Sequence, residues 1–225
     1  MRFGVLVAAA SALVAPVLAQ DLRGVFPVRI ADPAFDWSGI YGGLHAGYGS
    51  GMLTASSQHL AAGEVPLRGS VLGVTLGANW QVKRYVFGVE GDMAWSGIGG
   101  MRECLPGTGT LCVSDMGWLG AVRGRAGLAI DRSLLFVAGG VAFAGWRGTI
   151  RPVAGADTSL EAHAWGWTIG VGSEVIISDN MSLRGEYAFY RFGRHEAEMG
   201  ADGANEAVEL RPQVHIGRLG VNWHF

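Results

Sequence analysis

Long apolar runs are scarce in this chain of 225 residues: beyond the first 19 positions no stretch approaches 18 uninterrupted apolar residues. A bundle of membrane-crossing helices is therefore excluded. Lysine is almost missing, since Lys83 is the one lysine among 17 basic residues. With 19 acids the net charge is −2, which offers no basic face to nucleic acid. What abounds is glycine, 37 residues, without the collagen period or the low hydrophobicity of a disordered chain. Such glycine suits crowded strands.

The start, MRFGVLVAAASALVAPVLAQ, has a basic residue at Arg2, an apolar run from Val5 to Leu18 and small residues around Ala19. This pattern predicts a cleaved secretory signal over residues 1–19. The run is broken by Ser11 and Pro16, which argues against a retained anchor. Residues 20–36 hold two prolines and show no period, so they are expected to form a periplasmic tether. Any membrane span after the signal must be built from strands.

Residues 70–82 read SVLGVTLGANWQV. Leu72, Val74, Leu76, Ala78, Trp80 and Val82 form one face, while Gly73, Thr75, Gly77, Asn79 and Gln81 fall on the other. A soluble barrel would turn the apolar set inward, and a membrane barrel outward. Alternation of this kind recurs eight times, predicting strands near 37–51, 69–82, 85–95, 116–130, 134–146, 163–177, 181–192 and 211–225. Connections at 83–84, 131–133 and 178–180 are tight, whereas 52–68, 96–115, 147–162 and 193–210 are expected to be long loops. Short periplasmic turns alternating with long extracellular loops are the pattern of an outer-membrane barrel. Opposed residues in antiparallel strands face the same way. A turn at 83–84 sets Val82 against Tyr85 and Ala78 against Val89, and a three-residue turn centred on Asp179 sets Glu174 against Arg184.

The minor faces gather Glu90, Asp92, Arg123, Arg125, Glu174, Arg184, Glu186 and Arg218. Four acids and four arginines, interleaved with glycines such as Gly88, Gly140 and Gly220, suit a narrow interior better than the solvated outside of a soluble barrel. The lumen of eight strands is only wide enough for side chains to fill, and buried charges need partners. The lumen is thus expected to be plugged by ion pairs. The opposite faces carry residues lipid accepts, among them Leu44, Leu72, Val89, Val122, Val137, Ile169 and Leu219. Aromatics at strand ends form two expected interface girdles: Trp37, Trp80 and Tyr85 near the short turns, and Trp95, Trp118 and Trp165 near the long loops. Trp146 breaks this parity and suggests a bulge or a displaced strand end. The competing soluble fold is a lipocalin-like pocket, with the facing reversed.

The stretches FDWSGIYGGLHAGYG (35–49), WLGAVRGRAGLAI (118–130), GWTIGVGSEV (166–175), SLRGEYAFYRF (182–192) and the terminal RLGVNWHF resemble the small outer-membrane β-barrel proteins abundant in alphaproteobacteria, relatives of the OmpA and opacity-protein barrels. The likeness covers residues 37–225. It implies an all-β fold, an eight-stranded antiparallel up-and-down transmembrane barrel in the bacterial outer membrane. It also implies insertion by the outer-membrane assembly machinery, which reads a last strand ending in an aromatic; Leu219, Val221, Trp223 and Phe225 match that signal. The family is often called porin without demonstrated pore activity. Its members serve envelope integrity, surface interaction or, in some cases, uptake of small molecules or haem.

Cys104 and Cys112 flank LPGTGTL, and in an oxidising compartment they are expected to form a disulfide. Their spacing fits no zinc motif. Of the six histidines only His195, with Glu196 and Glu198, sits in a local acid and base cluster, which reads as a solvated loop; no catalytic residue, cofactor or metal site is expected. His45, on the lumen side, reads as an interior polar group rather than a haem ligand. Gly97–Gly100 lacks the lysine of a phosphate loop. The loops carry no recognisable motif, although the acidic residues of 193–210 suggest divalent cations shared with lipopolysaccharide phosphates. The expected role is structural or interactive. Its expected partners are outer-membrane lipids, lipopolysaccharide, the assembly machinery and surface ligands of the loops. A narrow pore for ions or small solutes is the alternative, and an adhesin or haem-like receptor the next.

Overall fold

The computed structural model describes residues 32–56, 63–103, 109, 111–151, 153, 158–193, 195–199 and 206–225. These form nine strand segments: β1 (Gly39–Ser56), β2 (Gly63–Val82), β3 (Tyr85–Glu103), β4 (Leu111–Ile130), β5 (Ser133–Arg151), β6 (Thr158–Ser178), β7 (Met181–Phe192), β8 (His195–Met199) and β9 (Glu206–His224). Every neighbour is antiparallel, and β9 closes the sheet by pairing with β1. Because β7 and β8 follow one another along the same edge of β9, the nine segments make eight staves of a closed barrel. Closure removes every free edge, which a sheet surrounded by lipid requires.

Side-chain alternation decides the facing. Along β7 every second residue from Ser182 to Phe192 is buried, and the intervening Leu183 and Tyr187 lie exposed. The same holds on β2, where Leu72, Val74 and Leu76 point out between buried Val71, Thr75 and Asn79. The large apolar set therefore faces outward, and the soluble lipocalin-like arrangement is overturned. Val82 opposes Tyr85 and Ala78 opposes Val89, as the two-residue turn requires. Lys83 and Asp131 open two of the turns with positive φ, 56° and 50°.

Four expectations need correction. The strands run well past the residues proposed for them, so that much of 52–68, 96–115, 147–162 and 193–210 is paired strand rather than loop. The reason is that backbone groups pair whatever the side-chain period, while the apolar alternation that reveals a strand in sequence stops with the lipid. The β6–β7 turn is the two residues Asp179 and Asn180, with a register irregularity between Ile176 and Ser178; that extra residue sets Glu174 opposite Arg184. Trp146 keeps the regular inward parity of β5 and packs against the interior apolar cluster. The irregularity lies across from it on β4, between Met116 and Trp118, and a second one on β3 between Trp95 and Ile98.

The fourth concerns Trp37 and the tether. Trp37 is 1% exposed and packs inside the short-turn mouth with Val86, Ala129, Leu134, Phe136 and Ile176, not in the outer girdle. Residues ahead of β1 are docked there too: the Ala34 amide donates to the Asp131 carbonyl at 2.9 Å, and the Trp37 amide to Gln81 Oε1 at 2.8 Å. Parity with inward-facing Tyr41 and His45 points the same way; it was the rule that strand-end aromatics form a girdle that misplaced Trp37. The other expected girdle residues do point outward: Trp80, Tyr85, Trp95 and Trp165 are exposed, and Trp118 lies half-buried over Gly145.

Candidate functional site

The lumen is filled in three layers. At the short-turn mouth sits the apolar plug of Trp37, Phe35 and their neighbours. Toward the other end a larger apolar cluster, including Leu67, Val71, Ile98, Met116, Tyr190, Phe192 and Ile216, fills the bore. Between them lie the charges. All eight expected lumen residues are buried, from Glu174 at 0% to Asp92 and Arg218 at 7%.

Glu90 is the hub. Arg184 grips it with two hydrogen bonds, Nη1 to Oε2 at 2.8 Å and Nη2 to Oε1 at 3.0 Å, and Arg123 Nη2 lies 2.5 Å from Oε1. Glu186 is shared by three arginines: Arg123, Arg184 through Nε at 3.0 Å, and Arg218 through Nη2 at 3.0 Å. Arg218 also donates to Asp92 Oδ1 at 2.9 Å. Arg125 joins Glu174 at 3.1 Å. Each carboxylate thus meets at least one guanidinium in a charge-balanced cluster, which is what makes buried ions tolerable. Glu90 with Arg123 and Glu186 with Arg218 are also direct ladder partners, whereas Glu174 and Arg184, opposed in register, bond Arg125 and Glu90 on more distant staves, because the narrow bore brings those side chains together.

Several members of this cluster escaped the sequence reading. Tyr41 accepts from Arg125 Nη1 at 2.9 Å and donates to Glu90 Oε2 at 2.7 Å. Period two from outward-facing Ile40 was the available signal. Phe136 is held between the guanidinium groups of Arg125 and Arg184, 4.4 and 4.5 Å from its ring centre, a cation–π stack that no spacing rule reveals. His45 bonds Thr75 Oγ1 at 3.1 Å and faces Arg218 at 3.5 Å, so both ring nitrogens are engaged within the lumen.

Ser182, His224 and Glu174 also converge. Ser182 Oγ lies 2.5 Å from Glu174 Oε1 and 3.0 Å from His224 Nε2, with Nε2 itself 3.4 Å from the same carboxylate oxygen. In a hydrolytic relay the acid holds the imidazole nitrogen remote from the serine. Here serine and acid share one nitrogen, and Phe35 and Trp37 pack edge-on against the imidazole at 5.6 and 5.5 Å. The arrangement is a buried polar knot that ties β6, β7 and β9, with Asn222 Nδ2 donating to Glu174 at 2.7 Å. His195 is on β8, not in a loop, and Cys112 is on β4; Cys104 lies outside the described residues. So do residues 1–31, on which the signal and most of the tether fall.

A closed antiparallel barrel with an apolar belt and a side-chain-filled, charge-neutral bore defines a transmembrane β-barrel of the outer-membrane class. The family described as "Outer membrane protein beta-barrel domain" matches residues 5–225, and the chain belongs to it. It is 29% identical to the 31 kDa outer-membrane immunogenic protein of Brucella melitensis over 96% of this chain and 95% of that one. It is 31% identical to the 22 kDa outer membrane protein of Rhizobium leguminosarum over 70% and 65% of the two chains. Among solved structures it is similar to Ail, the attachment invasion locus protein of Yersinia pestis, at 13% identity and a TM-score of 0.41, covering 83% of this chain and 99% of Ail. The protein is located in the outer membrane.

Proposed function

We propose that this protein is a non-conducting barrel that supports the envelope and carries a β-rich surface outside the cell. One observation carries the reading: three successive layers of side chains, apolar, ionic and apolar, fill the bore. A water-filled path would have to pass all three. The test is planar-bilayer conductance of the refolded chain beside a gel of boiled and unboiled samples. A heat-modifiable band without conductance is expected; stable openings would favour the narrow-pore alternative.

Surface interaction is the second reading, supported by strand length. With about 2.5 Å of height gained per tilted residue, the 20 residues of β2 rise roughly 50 Å, about twice the apolar belt of such barrels. In this class the long-connection end is extracellular, so the surplus projects outward. The Brucella relatives are named immunogenic proteins, which fits an exposed surface of this kind; antibody binding to intact cells tests it here. We read no enzymatic role, cofactor or nucleic-acid partner into the chain. A cleaved signal over residues 1–19, delivery by the assembly machinery through the aromatic C-terminus, and a Cys104–Cys112 disulfide complete the proposal.

A further inference from the structure

The outward surface of the barrel is uneven in its charge. Near the long-connection end of the apolar belt, one register row runs Phe189, His215, Ser50, Arg68 and Gly99 across β7, β9, β1, β2 and β3. Continuing around, Gly99 opposes Asp115, Asp115 opposes Arg147, and Arg147 is bonded to Glu161 at 2.7 Å. On the β4–β6 side the one arginine of this row therefore has carboxylates beside it, Glu161 bonded to it and Asp115 opposite it. On the β7–β9–β1–β2 side, Arg68 and Arg191 are exposed and have no ion pair among the described residues. Asp115, above Gly99 and two staves from Arg68, is the described carboxylate bordering this patch.

Between the two arginines the surface offers polar groups and free space. Tyr187 Oη and His215 Nδ1 are 2.6 Å apart on the outward face, and Phe189 packs 4.8 Å from the imidazole. Gly217, beside them, has nothing within 4 Å of where a Cβ would stand. Ser50 and Ser70 add exposed hydroxyls. Aromatics rim the patch, with Tyr48 and Tyr187 exposed and Trp167 edge-on to Phe189 at 5.5 Å. Three strand spacings separate the arginine-bearing staves, about 14 Å, a width suited to one large headgroup. Hydrocarbon tails would meet Leu44, Leu72 and Leu219 on the belt below.

We propose that this patch binds one phosphorylated glycolipid of the outer leaflet. Arg68 and Arg191 would hold its phosphates, and the Tyr187–His215 pair with Ser50 and Ser70 would meet its sugar hydroxyls. The charge complementarity is specific: two guanidinium groups without carboxylate partners among the described residues, at the depth where anionic headgroups lie. The inference rests on outer-membrane location, not on the closed-lumen reading, so a conducting barrel would leave it standing.

Native mass spectrometry of the refolded full chain tests it. The probes are lipid A with both phosphates, lipid A with neither, and phosphatidylglycerol, with inorganic phosphate as competitor. One bisphosphorylated lipid A per barrel is expected, with Arg68→Gln and Arg191→Gln each weakening it about fivefold. Arg147→Gln, whose arginine is already paired, should leave binding unchanged. Equal binding of the dephosphorylated lipid, equal binding of phosphatidylglycerol, displacement by inorganic phosphate, or arginine variants that bind like the parent would each overturn the proposal. The heat-modifiable band confirms that each variant is folded before its binding is read.

Discussion

Arg184 reaches across the bore to Glu90, 94 positions earlier in the chain, and grips it with two hydrogen bonds of 2.8 and 3.0 Å. The pair fixes β7 against β3 through the middle of the barrel, where neither strand touches the other by backbone. Removing one partner leaves the buried cluster with one uncompensated charge, which costs about 3–5 kcal/mol. Arg184→Ala should therefore lower the urea midpoint of the micelle-bound barrel strongly. Glu90→Gln combined with Arg184→Met should recover much of the loss, because the uncompensated charge is gone; if the double variant were no better than the single, the network would not be electrostatic.

Trp37 closes the short-turn mouth from outside the strand ladder. Truncating a buried tryptophan costs about 3–5 kcal/mol. Trp37→Ala should destabilise by that order in denaturant titration and still give no conductance, since the ionic layer and the second apolar cluster remain.

Gly140 faces the backbone of β4, and a Cβ there would collide with the Val122 carbonyl and the Arg123 Cα. Backbone cannot swing aside as a flexible side chain can, so Gly140→Ala should cost about 1–3 kcal/mol. Gly124, with open space at the same construction, is the comparison. Equal melting of Gly140→Ala and Gly124→Ala would refute the close approach.

Phe225 is 79% exposed at the end of β9, beyond outward-facing Leu219, Val221 and Trp223. The side chain contributes little to the packed interior. Phe225→Ala should lower the yield of barrel recovered from outer-membrane fractions several-fold while leaving the stability of refolded protein near that of the parent, separating assembly from folding.

Cys112 and Cys104 are the two cysteines of the chain, and no free cysteine is found among the described residues. A bond closing so short a loop adds roughly 2–3 kcal/mol in the chain-entropy view. Thiol-reactive labelling of the exported protein should require prior reduction; labelling without it would show that the bond does not form.

The fold was legible in the sequence because a strand in a membrane barrel writes its facing into every second residue. Leu72, Val74 and Leu76 on one side and Thr75 and Asn79 on the other state which side meets lipid. The same parity placed Glu90, Asp92, Arg123 and Arg125 inside. It failed where side-chain period and backbone pairing part company, beyond the belt, where β2 to β6 continue as strands; at Trp37, whose parity matches that of buried Tyr41, the expectation of a strand-end girdle overrode it.

By itself, then, the sequence determined the class of fold, the even number of staves, the sign of the facing and the set of charges within the bore, all consequences of local periodicity. Partners were decided by the ladder only in part, as for Glu90 with Arg123 and Glu186 with Arg218. Glu174 stands opposite Arg184 on the ladder yet bonds Arg125, Phe136 lies between two arginines from separate staves, and Ser182 meets His224 from 42 residues away. Only the tertiary structure decided these, because closing the sheet brings side chains of distant strands together across a narrow bore, at separations that no period along the chain records.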